Sequence, residues 1–140
     1  MSRPTSFRLS EELLERVDAE AAATGTSATA LVTSLLDEGL KTRRFPGVVY
    51  RSGPAGRRAA LASGPDVWEI VRAVRRTPGK GEPRLRRVAE EAGLGLDQVR
   101  LAVNFYSAYP EETDARIAAD ETAADQIRVM VDRREQLLSE

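Results

Sequence analysis

The chain opens with a stretch that a single copy cannot fold to completion. Arg3-Pro4-Thr5-Ser6-Phe7-Arg8-Leu9 alternates in polarity and runs straight into Ser10 and an amphipathic helix; Gly25 ends that helix, and a second begins behind Ser27. One strand has no partner for its ladder, and two short helices bury little apolar surface by themselves. Side chains alternate across a strand, so Thr5, Phe7 and Leu9 share one face while Pro4, Ser6 and Arg8 share the other. Ser10 is a good N-cap, with Glu11 and Glu12 placed favourably against the helix dipole. Leu13, Leu14, Val17 and Ala21 recur at helical spacing, as do Leu31, Val32, Leu35, Leu36 and Leu40. The expectation is a core completed by a second copy, with Phe7, Leu9, Leu13, Val17, Leu31 and Leu35 at its centre.

Strand, helix, Gly-x-Ser turn and helix over residues 3–44 resemble a ribbon-helix-helix DNA-binding arm. The resemblance implies that two chains pair their strands and lay the ribbon in the major groove of an operator. Ser6 and Arg8 are then the base-contacting residues, since a guanidinium can bond guanine bidentately and a hydroxyl can serve either base type. Pro4 departs from the family pattern, which usually places a polar or basic side chain there. Arg3 is left to contact phosphate. The start of the second helix, with Thr26, Ser27 and Thr29, is expected at the DNA backbone, because helix N-termini carry unpaired amides and attract anions.

Composition removes other functions. The chain has no histidine and no cysteine, so the commonest general base, the thiol nucleophile and the usual transition-metal ligands are all missing. The expectation is a non-enzyme without metal or cofactor. No apolar run approaches the roughly 20 residues of a membrane span, and Met1-Ser2-Arg3-Pro4 lacks the apolar core of a signal peptide; a cytoplasmic protein with no membrane partner is expected. Net charge is −1 overall but strongly partitioned: −4 over residues 1–40, +8 over 41–108 and −5 over 109–140. A basic middle between acidic ends suits a polyanion-facing surface plus a tail for another partner.

Beyond Pro46-Gly47, two short runs around Ser52-Gly53-Pro54-Ala55-Gly56 read as a β-hairpin. Ser63-Gly64-Pro65-Asp66 starts a helix whose inner face is Val67, Ile70, Val71 and Val74, with Trp68 on its flank, and the loop Thr77–Pro83 ends it. Leu85, Val88, Ala89 and Ala92, then Gly93, then Leu96, Val99, Ala102 and Val103 follow the pattern of a helix-turn-helix. Gly56-Arg57-Arg58-Ala59, Asp66 to Val71, Leu96 to Arg100 and Ala108 to Glu112 resemble the uncharacterised family numbered 433 among domains of unknown function. That resemblance implies a hairpin followed by a helix-turn-helix-like bundle and an antitoxin setting beside a nuclease-like toxin. Arg84, Arg86, Arg87 and Arg100 are candidates for a second DNA contact. The competing reading, a packing or dimerisation module with a solvated basic rim, is favoured by Glu90, Glu91 and Asp97 beside the turn.

From Pro110 to Glu140 there is no later proline or glycine, and the acidic stretch reads as one amphipathic helix. Ile127, Met130, Val131 and Leu137 are its expected partner-binding residues. The fold class expected is mainly α: a dimeric ribbon-helix-helix arm over 1–44, a hairpin plus three-helix domain over 45–109, and a helical tail over 110–140. The function expected is a homodimeric operator-binding repressor that assembles to higher order on DNA and acts as antitoxin to a toxin protein. A stand-alone regulator with no toxin and a dimeric protein–protein adaptor are the alternatives.

Overall fold

A computed structural model describes residues 1–140, and it is mainly helical: α1 (Glu11–Thr24), α2 (Ala28–Arg44), β1 (Val48–Gly53), β2 (Gly56–Leu61), α3 (Val67–Arg76), α4 (Gly81–Ala92), α5 (Leu96–Ala108) and α6 (Pro110–Ser139). The chain divides into two compact units, Met1–Arg44 and Phe45–Glu140. No helix is long and apolar enough to cross a membrane.

In the first unit, residues 1–10 are exposed and carry no regular secondary structure. The strand expected over 3–9 does not form within one chain, because nothing in that chain pairs with it. Ser10 caps α1 by accepting from the Leu13 amide at 3.2 Å. Gly25, at φ 66°, ends the helix. Its amide donates to Ala22 at 3.3 Å and the Thr26 amide donates to Ala21 at 3.0 Å, the reciprocal bonding of a left-handed helix stop. Of both apolar stripes, only Ala21 is buried.

The second unit has a continuous core. β1 and β2 pair antiparallel from Val48↔Leu61 to Gly53↔Gly56, joined by the two-residue turn Pro54-Ala55. Gly56 sits at φ 101°, which only glycine adopts readily in so tight a connection. The buried edge of the hairpin, Val48, Ala59 and Leu61, meets Val67, Ile70 and Val71 of α3, Val88 and Ala89 of α4, and Val99, Ala102 and Phe105 of α5. At Gly93, φ 67° ends α4, and the Leu94 amide donates to Ala89 at 2.9 Å.

Three expectations are corrected here. α4 starts at Gly81, so Glu82 and Pro83 lie in its first turn rather than in a loop; a first-turn proline forfeits no intrahelical bond. Ala92 is exposed rather than in the core. The ring of Phe45, the first residue of this unit, meets Phe105 at 5.6 Å and Tyr109 at 5.8 Å, both edge-on, the arrangement that ring quadrupoles favour. The boundary expected at 109/110 gives way because Thr113 and Ile117 of α6 are buried with the other helices. What remains tail-like is the carboxyl-terminal part of α6 onward, residues 121–140, where every residue is exposed.

Candidate nucleic-acid interface and partner surfaces

The side chains of Arg3, Ser6 and Arg8 lie on the exposed N-terminal segment and are bonded to nothing else in the chain. They are sterically available to a ligand. Beside them runs an apolar surface that an isolated chain leaves in water: Phe7 is 76 % exposed and Leu40 69 %, with Leu9, Leu13, Leu14, Leu35 and Leu36 also exposed. Val17 and Leu31 are half-buried. A groove of about 590 Å³ between α1 and α2 is lined by Leu13, Val17, Ala23, Leu31 and Leu35. This is a large apolar exposure for so small a unit.

At the start of α2, Ser27 accepts from the Ala30 amide at 3.1 Å. Thr26 is not equivalent to its neighbours, since its amide is already spent on Ala21 in closing α1. The amides of Ala28 and Thr29, at the first two positions of the helix, have no intrahelical acceptor.

The second basic surface is largely satisfied by the protein itself. Arg84 donates to the Arg75 carbonyl at 3.1 Å and Arg87 to the Pro78 carbonyl at 3.3 Å. Arg100 bonds Glu82 at 2.7 Å and lies 3.5 Å from Asp97. The Arg100 hydrogen bond holds the Glu82 carboxyl below its usual range, and Glu82 in turn raises Arg100. Of the four candidates only Arg86 has no hydrogen-bonded partner in the chain. The same pattern recurs toward α6. Arg72 pairs with Asp120 and Arg75 with Asp114, each at 2.6 Å. Hydrogen bonds from Arg75 and then Tyr106 lower the Asp114 carboxyl. The carboxylates beside Arg72, Arg75 and Arg100 offset the charge those three side chains would present to a polyanion.

On α6, Ile127, Met130, Val131 and Leu137 are all exposed. Residues 121–139 span about 28 Å at 1.5 Å per residue, and an isolated helix of that size is marginal in water. Arg134 interrupts the apolar stripe.

Sequence reasoning missed a cluster around Trp68. The indole is nearly buried, and its Nε1–H donates to Asp66 Oδ2 at 3.1 Å. The same oxygen accepts from Arg58 Nε. Tyr50 Oη donates to the Glu112 carboxylate at 2.7 Å. These residues come from the hairpin, α3 and α6, so no local spacing announces the cluster. No group of histidine, cysteine, aspartate or glutamate side chains is placed to hold a metal ion. Compared with family models, curated proteins and solved structures, the chain finds no match.

Proposed function

We propose that the protein is a homodimeric, cytoplasmic transcriptional repressor of ribbon-helix-helix type, without enzymatic activity, in which two N-terminal segments pair as a ribbon and enter an operator. The observation that carries this reading is the unfinished state of residues 1–44: an extended apolar surface beside a segment whose backbone lacks a strand partner. A second copy supplies both the missing strand and the missing core. Pairing puts Phe7 and Leu9 over the α1–α2 groove and leaves Ser6 and Arg8 on the outward face. The α2 corner at Ser27 and Thr29 then clamps a phosphate on each side of the ribbon.

Within this reading the second unit serves protein contacts rather than DNA, since its arginines are mostly committed internally. An antitoxin role fits the exposed helix at residues 121–140, whose apolar stripe suits a groove on a toxin. Deleting that segment separates this role from a stand-alone regulator, which keeps its behaviour in cells without it.

The test is duplex binding by gel shift over a salt series, because contacts to phosphate impose a steep salt dependence. Arg8→Ala should abolish preference for the operator over random duplex while sedimentation still reports the wild-type oligomer. Undiminished specific binding by that variant would remove the ribbon as the reader. Absence of any salt-dependent binding would instead favour the adaptor.

A further inference from the structure

We propose that a cleft between the hairpin and the first turns of α6 binds a small oxyanion, a carboxylate or a phosphate monoester carrying a short apolar body, through Arg116. The cleft measures about 350 Å³ and brings Arg57 and Arg58 of β2, Trp68 of α3 and Thr113 and Arg116 of α6 to one place. This is independent of the DNA-binding reading, which concerns the other unit.

The argument begins with the two cations facing Trp68. Arg72 lies 4.6 Å from the ring centroid and Arg116 lies 5.2 Å from it. Both gain from the ring quadrupole, but only one is neutralised: Arg72 has Asp120 at 2.6 Å. Arg116 has no carboxylate partner, and its Nε is a buried donor with no acceptor in the protein. Among the other partly buried arginines of this unit only Arg84 also has an unbonded buried Nε, and its guanidinium still reaches a backbone acceptor. Arg51 donates to the carbonyls of Leu61, Ala62 and Gly64, and Arg58 pairs with Asp66.

The two carboxylates of the cleft do not cancel Arg116. Asp66 already accepts from Arg58 and Trp68, and Glu112 already accepts from Tyr50 through both of its oxygens. Counted over the lining, Arg57, Arg58 and Arg116 exceed Asp66 and Glu112 by one positive charge, and pairing in a partly enclosed recess is stronger than in open water. A guanidinium offers a planar fork of donors suited to carboxylate and phosphate oxygens. Pro54, Ala55, Ala59 and Val67 supply the apolar wall, and the volume admits a ligand of small-metabolite size.

Trp68 is the only tryptophan of the chain, so its fluorescence reports on the cleft without labelling. The full-length protein is titrated with isobutyrate and, separately, with isobutyl phosphate, sodium chloride holding ionic strength constant. At least one should give a saturable change in emission, and the two arms distinguish carboxylate from phosphate. Arg116→Gln should weaken that response at least tenfold, whereas Arg100→Gln, outside the cleft, should leave it unchanged. The Arg116 Nε–H resonance of the wild-type protein should shift with the same midpoint, a readout that survives if Arg116→Gln fails to fold. Emission unmoved by both anions, a response equal to that of chloride, or saturation with a stationary Nε–H signal each overturns the proposal.

Discussion

The two units of this chain have comparable apolar patterning and opposite outcomes. In α1 and α2 the stripes built from Leu13, Val17, Leu31 and Leu35 meet only each other, and Ala21 alone is buried. In α3, α4 and α5 the stripes converge on Phe105, Val99 and Val88, each at 1 % exposure or less, under a hairpin that closes the open side. The difference is geometric rather than compositional. Two helices have one mutual contact line and leave the rest of each stripe in water, whereas three helices and a hairpin enclose a volume. A unit of the second kind closes its core within one chain. Under the proposed dimer, one of the first kind becomes stable only at a concentration where its partner is present.

That contrast can be broken at its strongest point first. Phe105→Ala removes a fully buried ring that packs against Phe45 and Tyr109 and should cost about 3–5 kcal/mol. The expected outcome is a large fall in the urea midpoint followed by Trp68 fluorescence, with no dependence on protein concentration. Leu35→Ala probes the other unit. Leu35 is 54 % exposed in the single chain, where such a truncation stays within about 0.5 kcal/mol. In a shared core the loss is about 2 kcal/mol, or roughly thirtyfold in the dissociation constant. We expect the larger figure, read as a shift of the monomer–dimer midpoint in sedimentation equilibrium; an unshifted midpoint would exclude Leu35 from the interface.

Smaller changes sharpen the comparison. Ser27→Ala deletes the cap on the Ala30 amide and should lower helix stability by about 1 kcal/mol, seen as a reduced far-ultraviolet melting temperature while the Trp68 transition stays in place. The smallest effect concerns acid. Arg75 above all, and then Tyr106, lower the folded-state Asp114 carboxyl from its ordinary value of 3.8. Stabilisation from this group is thus complete above the unfolded value and is lost as pH falls through the lower folded one. The gap in urea midpoint between wild type and Asp114→Asn should accordingly be open at pH 6 and close on further acidification below the ordinary value. Because the pair lies at the surface, solvent screening keeps the gap small.

Local rules made much of the fold legible. Gly25, Gly93 and the Pro54-Ala55 connection are punctuation that no tertiary context had to supply, and the α3 and α5 core faces follow from helical spacing. Legibility failed where a residue's role depended on a distant partner. Trp68 reads as a flank by period, yet Asp66, Arg72 and Arg116 draw it inside. The basic surplus of the middle segment reads as a polyanion surface. The carboxylates that answer Arg72 and Arg75 stand 48 and 39 residues away on α6, beyond the reach of any local count.

The opening stretch draws the same line. By itself the sequence determined that residues 1–44 would form a capped helix, a glycine stop and a second capped helix, because hydrogen bonds spanning three or four residues set those features. It also determined that the apolar faces on those helices would exceed what they can hide. Tertiary structure alone decided which apolar surface is closed within the chain and which stays open, and which charges are left over once the rest are paired. Burial and charge pairing belong to arrangements of several elements in space, and a linear pattern specifies the faces without specifying what meets them.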